Sequence, residues 1–457
     1  MARRKLLVLD VVGLTLDLLP HAPNLKELAG RGFVAPMDGV LPGVTCTAQA
    51  TLLTGSRPRD HGIVANGWYF RELAEVALWR QSNALVQGSQ LYEELARATP
   101  PATAANLFGW FNMYSAATWS VTPRPHYPAD GRKIPDVYSE PPELGAALTR
   151  ALGTFPLFNF WGPTASIRST SWIADAALDV LARLDPDLLF VYLPHLDYDL
   201  QRYGPNDPTI PDEVRRVDNE AGKLIAAADA TGREIVVLSE YGIVAVRGAV
   251  ALNRVLREHG VLTVRATPFG ELLDAGASRA FAVADHQVAH VYVRRPSDLA
   301  AVRDLLRRTD GVAEVLDEEG KRRHGLDHAR SGELVALAAA DRCFAYHYWL
   351  DDARAPDFAR TVDIHRKPGY DPGELFFDPD ARALRLKLAG RLLLKKLGFR
   401  TLMKAVSLRP DLARGSHGLL PARPEEAPLF LSSSKADACE RVEMTSVKER
   451  LLARVLG

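Results

Sequence analysis

The sequence predicts an α/β fold in which helices cover both faces of a mostly parallel central sheet. Three short stretches rich in Val, Leu and Ile are typical of strands buried on both faces, at 6–10, 188–193 and 235–240. Stretches with helical character lie between them, at 48–53, 90–96, 171–184 and 212–228. Strands that alternate with helices favour a parallel sheet, because parallel neighbours need a crossover connection.

Each of the three predicted strands ends in polar residues. Asp10 ends the first, His195 and Asp197 follow the second, and Glu240 and Tyr241 follow the third. Ligands of such sheets bind beyond the carboxyl ends of the strands. One acid at such a place is equally well explained as a helix cap, but acids after three strands favour a shared site.

Composition excludes several classes of protein. The 457 residues include 56 Lys and Arg and 56 Asp and Glu, so the formal net charge is zero. A generally basic nucleic-acid binder is therefore excluded, and we expect no nucleic-acid partner. Three cysteines are too few for a disulfide framework or a cysteine-based zinc module.

The first residues predict a core strand and not an export signal. Only four apolar residues, Leu6 to Leu9, separate the basic start from Asp10, whereas a signal peptide needs a longer apolar run and a cleavage site. No apolar run approaches the roughly 18 residues that a membrane-spanning helix needs. We therefore expect a cytoplasmic protein without a transmembrane segment.

The chain divides into three predicted parts. We expect a catalytic core formed by 1–265 and 360–425, a small α+β insertion at 266–359 that serves as a lid, and a C-terminal tail at 426–457.

The stretch 381–405 is basic and apolar. Such a stretch forms either an amphipathic helix on anionic lipid or a helix that covers the core with its charges solvated. We favour the second, because charge runs are usually solvated faces.

The most informative segment runs from 41 to 69. Pro42 and Gly43 break the chain, and Thr45 stands where a helix is predicted to begin. A Thr hydroxyl at that place either caps the helix or acts as a nucleophile where the helix start receives an anion such as phosphate. Spacing alone does not separate the two interpretations.

The same segment resembles a known family. Thr45, the Thr54-Gly55 pair, His61-Gly62-Ile63 and Asn66, with Asp10 upstream, resemble the signature of the type I phosphodiesterase/nucleotide pyrophosphatase family of the alkaline phosphatase superfamily. The resemblance implies an alkaline-phosphatase-like sandwich. It also implies that Thr45 is the nucleophile and a metal ligand, that Asn66 binds phosphate oxygens, and that Asp10 binds metal.

Three later segments agree with the family in order but not in every residue. In 193–205, Asp197 matches a metal-binding Asp, and Gln201 stands where the family has His. In 235–243, Glu240 and Tyr241 stand where the family has Asp and His. In 414–421, His417 matches a late metal-binding His. All five positions are therefore implied metal-ligand places.

The departures bear on the metal. The family implies two divalent ions, normally zinc, one at Asp10, Thr45 and Glu240 and one at Asp197 and His417. Gln binds zinc more weakly than imidazole does, and an oxygen-rich site favours Mn or Mg. His286 and His365 are the alternatives if Gln201 or Tyr241 does not bind metal.

These residues predict a metal-dependent hydrolase of phosphodiester or pyrophosphate bonds with a Thr nucleophile. The expected substrate is a small phosphate ester, such as a nucleotide or a lipid phosphate. Two alternatives stay open: a catalytically weakened or inactive binding protein on the same scaffold, and a phosphonate or phosphomonoester hydrolase of the superfamily. A sulfatase is disfavoured, because the residues after Cys46 lack the Arg of the sulfatase motif.

Overall fold

A nine-stranded sheet forms the centre of the protein in the computed structural model, which describes residues 3–436 and 438–457. Its strands, from one edge to the other, are Val442–Glu443, Phe33–Asp38, Leu429–Ser432, Glu234–Leu238, Leu6–Val11, Leu188–Leu193, Ala104–Leu107, Trp119–Pro123 and Val137–Glu140.

The middle of this sheet is parallel. Leu6–Val11 pairs in parallel with Leu188–Leu193 on one side and Glu234–Leu238 on the other. Every residue of the first two strands is buried, which is why they appear in the sequence as continuous apolar runs. In this register Asp10 lies beside Tyr192 and Leu238, at the carboxyl end of all three strands.

Helices cover both faces of the sheet, and their apolar spacing explains their burial. Ile210–Ala230, for example, buries Val214, Val217, Ala221 and Leu224, which recur every three to four residues along one face. The α-helices are Pro23–Arg31, Thr45–Thr54, Pro58–His61, Leu91–Arg97, Pro142–Leu152, Ile167–Leu184, His195–Tyr203, Ile210–Ala230, Leu252–Glu258, Leu299–Arg307, Glu318–His324, Leu384–Lys396 and Val447–Leu456.

The predicted fold class is confirmed. The three predicted strands and the four predicted helices are all present, with ends that differ by a few residues from the sequence-based bounds. Smaller two-stranded sheets flank the core. They pair Gly67–Phe70 with Glu75–Leu78, Val244–Ala245 with Gly415–Ser416, Gly248–Val250 with Arg342–Phe344, and Val264–Thr267 with Gly270–Leu273.

A second, antiparallel sheet lies within the stretch predicted as an insertion. Its strands, in spatial order, are Ala280–Asp285, Val288–Val293, Leu334–Ala338 and Val312–Leu316. Its residues form a separate apolar cluster around Phe281, Tyr292 and Leu306. The boundaries drawn at 266 and 359 stay a prediction.

The stretch 426–457 differs from the tail that was expected there. Leu429–Ser432 lies inside the central sheet, antiparallel to Glu234–Leu238 and to Phe33–Asp38. Helix Val447–Leu456 buries Leu451 and Val455 against the same core. This strand was not predicted from the sequence because it has only four residues and lies between polar turns. So short a run gives little periodic signal.

The basic stretch 381–405 also differs from expectation. It contains helix Leu384–Lys396, but none of the residues of this helix is buried. The favoured interpretation of a core-covering helix is therefore wrong. Among the described residues, no helix has the length and apolar character needed to cross a lipid bilayer.

Candidate active site

Thr45 is the first residue of a helix that is buried along its whole length, Thr45–Thr54. The Thr45 side chain is only 4% exposed. The first N–H groups of a helix have no partner inside it, and this end carries the positive end of the helix dipole. The helix start thus presents a hydroxyl and N–H groups that have no partner inside the helix at the place where the parallel strands end.

The Thr45 hydroxyl belongs to a chain of hydrogen bonds. Its Oγ1 lies 3.0 Å from the Tyr241 Oη, and the Tyr241 hydroxyl donates to Asp197 Oδ1 at 3.2 Å. Burial raises the pKa of Asp197 to about 6. Burial also raises the pKa of Tyr241 well above its usual value, so the phenol stays protonated. Tyr241 therefore connects the Thr45 hydroxyl to a carboxylate through two hydrogen bonds.

Asp10 and Glu240 form a second group beside Thr45. The Gln49 Nε2 donates to Glu240 Oε1 at 2.6 Å and to Asp10 Oδ2 at 3.3 Å. Both carboxyls are fully buried. Burial raises the pKa of Glu240 to about 7, and burial together with the Glu240 charge raises the pKa of Asp10 well above its usual value. Within the described residues, Asp10 Oδ1 and Glu240 Oε2 have no hydrogen-bond partner.

These two unpaired oxygens give a test of whether the site fits a metal ion. A buried carboxylate without a compensating partner is costly, and two close together are more so. The donors around them, two carboxylates and the Thr45 hydroxyl, are all oxygen, which suits a hard divalent cation. The residues present therefore fit one cation at Asp10, Glu240 and Thr45.

Asp197, Gln201 and His417 form the opposite half of the site. The Gln201 Nε2 donates to Asp197 Oδ2 at 2.8 Å, and its Oε1 accepts a hydrogen bond from the Tyr370 hydroxyl at 2.6 Å. Both ends of the Gln201 amide are thus engaged. Asp197, through both its oxygens, accepts hydrogen bonds from neutral donors, so its environment differs from that of Asp10.

The second ring nitrogen of His417 faces Asp197. Its Nδ1 lies 2.7 Å from the Gly43 carbonyl oxygen and donates to it, and burial lowers the pKa of His417 to about 3. The ring is therefore neutral, with a lone pair on Nε2, which lies 3.7 Å from Asp197 Oδ1. Two electron-rich atoms at this distance are suited to share a cation or a proton.

Four aromatic rings stack across the site. Tyr241 lies parallel to His417 with 3.7 Å between ring centroids, His417 lies 3.8 Å from His286, and His286 lies 3.7 Å from Tyr370. His286 occupies the turn between two strands of the second sheet, with a φ of +55°. The alternative ligand His286 thus lies in the site. The exposed His365 instead donates a hydrogen bond from Nδ1 to the Leu78 carbonyl oxygen at 3.4 Å.

Asn66 is held in place by Asp285. The Asn66 Oδ1 accepts a hydrogen bond from the Cys46 N–H at 2.9 Å. The Asn66 N–H and Nδ2 donate to the two oxygens of Asp285 at 2.7 and 3.0 Å. These contacts fix the amide beside the helix start, with its second Nδ2–H left for another acceptor.

The sequence analysis missed three residues of the site. Gln49 is one helical turn after Thr45, and this spacing places it on the same helix face, so the sequence did carry a signal for it. Asp285 ends strand Ala280–Asp285, and Tyr370 lies in a loop. Both come from segments far along the chain, and no local pattern links them to Thr45.

His195 and Asp199 lie close to Gln201 in the sequence, but their side chains contact other partners. The His195 Nε2 contacts Glu213 Oε2 at 2.8 Å, and Asp199 Oδ1 accepts from Arg202 at 2.7 Å. His195, Asp199 and Glu213 place ligand atoms within 4.8 Å of one another. They form a second acidic group that could hold a metal. Its carboxylates already form ion pairs, Asp199 with Arg202 and Glu213 with Arg216.

Comparison with known proteins places the chain in a family. The family model for type I phosphodiesterase/nucleotide pyrophosphatase matches residues 6–371. Among solved structures, phosphonoacetate hydrolase from Sinorhizobium meliloti 1021 with phosphonoformate is similar with a TM-score of 0.60 and 15% identity, covering 99% of this chain and 96% of that one.

Two mammalian structures are similar to the same degree. Murine ectonucleotide pyrophosphatase/phosphodiesterase 5, in an inactive form with AMP, has a TM-score of 0.59 and 16% identity and covers 99% of this chain and 95% of that one. The human protein of the same name has a TM-score of 0.60 and 13% identity with the same coverage. At these identities the likeness concerns the fold alone.

Proposed function

The chain belongs to the type I phosphodiesterase/nucleotide pyrophosphatase family, and from that premise we propose that it cleaves a small phosphate ester by attack of the Thr45 hydroxyl. The members of the family are metal-dependent phosphoric ester hydrolases. The observation that carries the proposal is the environment of Thr45. Its hydroxyl stands at a buried helix start and is hydrogen-bonded to Tyr241, which is itself hydrogen-bonded to Asp197.

We assign one divalent cation to Asp10, Glu240 and Thr45. The unpaired oxygens of Asp10 and Glu240 support this assignment, and the oxygen donors favour Mg or Mn over Zn. When bound, such an ion lowers the pKa of an attached hydroxyl and offsets the charge of the phosphoryl oxygens. A second ion at Asp197, Gln201 and His417 stays a prediction.

The side chains provide a route for the proton that Thr45 loses. The Thr45 Oγ1 forms a bond to phosphorus, and the bond from phosphorus to the leaving oxygen breaks. The Thr45 proton passes to Tyr241 Oη, whose own proton passes to Asp197 Oδ1 along the observed hydrogen bonds. A carboxyl whose pKa is about 6 is suited to accept and return a proton near neutral pH.

Asn66 and the helix start bind the oxygens that do not react. The Asn66 Nδ2 donates one proton to Asp285 and has a second one to offer. The N–H groups of the first helical turn point out of the helix start, where the helix dipole favours a negatively charged ligand. Together they would hold the phosphoryl group in line with Thr45 Oγ1. The oxygen of a water molecule then forms a bond to phosphorus, the bond from phosphorus to Thr45 Oγ1 breaks, and one proton of the water returns to Thr45 Oγ1 as the product leaves.

The test is hydrolysis of bis-p-nitrophenyl phosphate by the full chain with Mg, Mn or Zn added. We expect Thr45→Ala to lower kcat/KM on the order of a thousandfold or more, because it removes the attacking atom. Thr45→Ser should recover part of the rate. Thr54→Ala is the matched control: Thr54 ends the same helix, its hydroxyl bonds to the Ala50 carbonyl oxygen, and its rate should stay near that of wild type.

Two results would contradict the proposal. If Thr45→Ala turns over at the wild-type rate, Thr45 is not the nucleophile. If the wild-type chain shows no hydrolysis with any ion and purifies without one, the inactive binding protein is the better account. Running a phosphomonoester and phosphonoacetate alongside distinguishes the remaining alternatives, since the similar bacterial structure is a phosphonoacetate hydrolase.

A further inference from the structure

Helix Leu384–Lys396 has an unusual exposure for a helix rich in leucine. None of its residues is buried. Leu386 is 76% exposed, Leu393 59%, and Leu397 just after the helix 65%. Helix Ile210–Ala230, by contrast, buries its leucine, Leu224. Contiguous exposed apolar surface of this kind marks an interaction site.

The three most exposed leucines of this segment form one stripe that points away from the protein. Leu394, which is 42% exposed, borders this stripe, whereas Leu392, which is 56% exposed, lies on another side of the helix. Leu386, Leu393 and Leu397 are separated by seven and four residues, which places them on one helix face, with the small residues Ala389 and Gly390 between them. The partly covered residues form the opposite face, at positions 384, 388, 391 and 395. The most exposed leucines of this helix therefore face away from the protein, while Leu384 and Leu388 lie on the partly covered face.

Positive charge borders the stripe on both sides. At 100° per residue, Lys387 lies on one side of the stripe, and Arg385 and Lys396 lie on the other. The segment 381–404 contains no Asp or Glu and eight Lys or Arg, namely Arg382, Arg385, Lys387, Arg391, Lys395, Lys396, Arg400 and Lys404. Since the whole chain has a net charge of zero, this segment concentrates positive charge that the remainder of the chain balances.

The helix is attached to the fold at a fixed base near the site. Phe377 pairs with Val406, and the Asp378 N–H donates to the Ala405 carbonyl oxygen at 2.9 Å. This base lies seven residues after Tyr370, which bonds to Gln201. The helix thus leaves the fold a short distance along the chain from a residue that contacts Gln201.

We infer that the segment 382–404 docks on an anionic lipid bilayer, with the helix lying in the plane of the interface. An apolar stripe bordered by cations matches both layers of such a surface: the leucines enter the acyl boundary, and Lys and Arg pair with the anionic headgroups. The complete absence of acidic residues favours this occupant over a second copy of the chain, which has no net negative charge to offer. This inference does not depend on the proposed hydrolysis.

The experiment is co-sedimentation of the full chain with two kinds of vesicle. One is phosphatidylcholine alone and the other is phosphatidylcholine with about 30% phosphatidylserine. We expect binding to the anionic vesicles that weakens as salt rises, and much weaker binding to the neutral ones. The combined variant Leu386→Gln, Leu393→Gln and Leu397→Gln should reduce binding at least tenfold, and so should Arg385→Gln, Lys387→Gln and Lys396→Gln.

Exposed apolar residues elsewhere provide the matched control. Leu73 is 66% exposed and Phe269 is 71% exposed, and Leu73→Gln with Phe269→Gln should bind vesicles as wild type does. Circular dichroism verifies that each variant is folded. No binding to anionic vesicles at low salt overturns the inference, as does equal binding by the leucine variant. Self-association in light scattering that Leu393→Gln abolishes, without vesicle binding, would show instead that the stripe docks a second copy.

Discussion

The two halves of the active site treat their carboxylates differently. In the first half, Asp10 and Glu240 lie side by side, share one amide donor from Gln49, and each keep an unpaired oxygen. In the second half, Asp197 is alone, and its two oxygens accept hydrogen bonds from Tyr241 and from an amide. The first half holds two carboxyl groups against one in the second half, and it has fewer donors to compensate for their charge when they ionise.

This difference suggests separate roles for the two halves. It arises from Tyr241 and Gln201, which stand at positions where the resemblance to the family implies metal ligands. Tyr241 and Gln201 are both neutral donors, and both are hydrogen-bonded to Asp197. They reduce the need for a cation in the second half and leave that need intact in the first. We therefore expect the first half to bind the ion and the second to exchange the proton.

The largest effect is expected from Asp10→Asn. Losing this carboxylate should remove the bound cation and lower kcat/KM about a thousandfold, because a catalytic ion supplies several kcal/mol of charge stabilisation. The same change removes one of two adjacent buried acids, so the metal-free protein should unfold at a higher temperature. Metal analysis, kinetics and thermal unfolding of the same preparation measure all three effects.

Asp199→Asn is the control for that variant. Asp199 is a buried acid with its own ion pair, and it belongs to the group formed with His195 and Glu213. Its loss should leave the bound ion and the rate in place. If Asp199→Asn removes the ion and Asp10→Asn does not, the cation belongs to that other group and the assignment to the first half is wrong.

A smaller effect is expected from Tyr241→Phe. This change removes the hydroxyl between Thr45 and Asp197 and keeps the ring that stacks on His417. We expect kcat to fall about a hundredfold, the usual contribution of a positioned proton-transfer group. Leaving a buried acceptor unpaired should also cost about 1–3 kcal/mol of the free energy of unfolding. Stopped-flow kinetics and denaturant titration provide the two values.

Tyr370→Phe provides the comparison. Its hydroxyl is buried in the same ring stack but bonds to Gln201 Oε1 and not to Thr45. The expected loss of stability is similar, and the expected loss of rate is much smaller. Equal rates for Tyr241→Phe and wild type would show that Thr45 loses its proton by another route.

The sequence predicted the part of the site that follows from the parallel sheet. Asp10, Asp197 and Glu240 follow three neighbouring strands, and the carboxyl ends of parallel strands meet at one edge. Their meeting there required no knowledge of distant contacts. The helix start at Thr45 was predicted from the chain break before it and the helix after it, which are local features as well, whereas the role of Thr45 as a nucleophile was implied only by the resemblance to the family.

The rest of the site depends on contacts that local patterns do not show. Asp285 reaches Asn66 across 219 positions of sequence, and Tyr370 reaches Gln201 across 169. The prediction that helix Leu384–Lys396 covers the core was wrong for another reason. Its apolar spacing is that of a core helix, and periodicity shows that a helix has an apolar face without showing what that face meets.

The smallest effect, and the sharpest test of the second half, is expected from Gln201→His. The resemblance to the family implies His at this place, and the imidazole would lie beside Asp197 and near His417, whose Nε2 faces Asp197. We expect zinc affinity to rise about tenfold or more, a change that even outer contacts of a metal site produce, and the number of bound ions to rise from one to two. Chelator competition and metal analysis measure these quantities.

Gln201→Leu, which has a similar size and no ligand atom, should leave both unchanged. If Gln201→His binds zinc no better than Gln201→Leu, the hydrogen bonds of Tyr241 already satisfy Asp197, and the second half works with a proton alone.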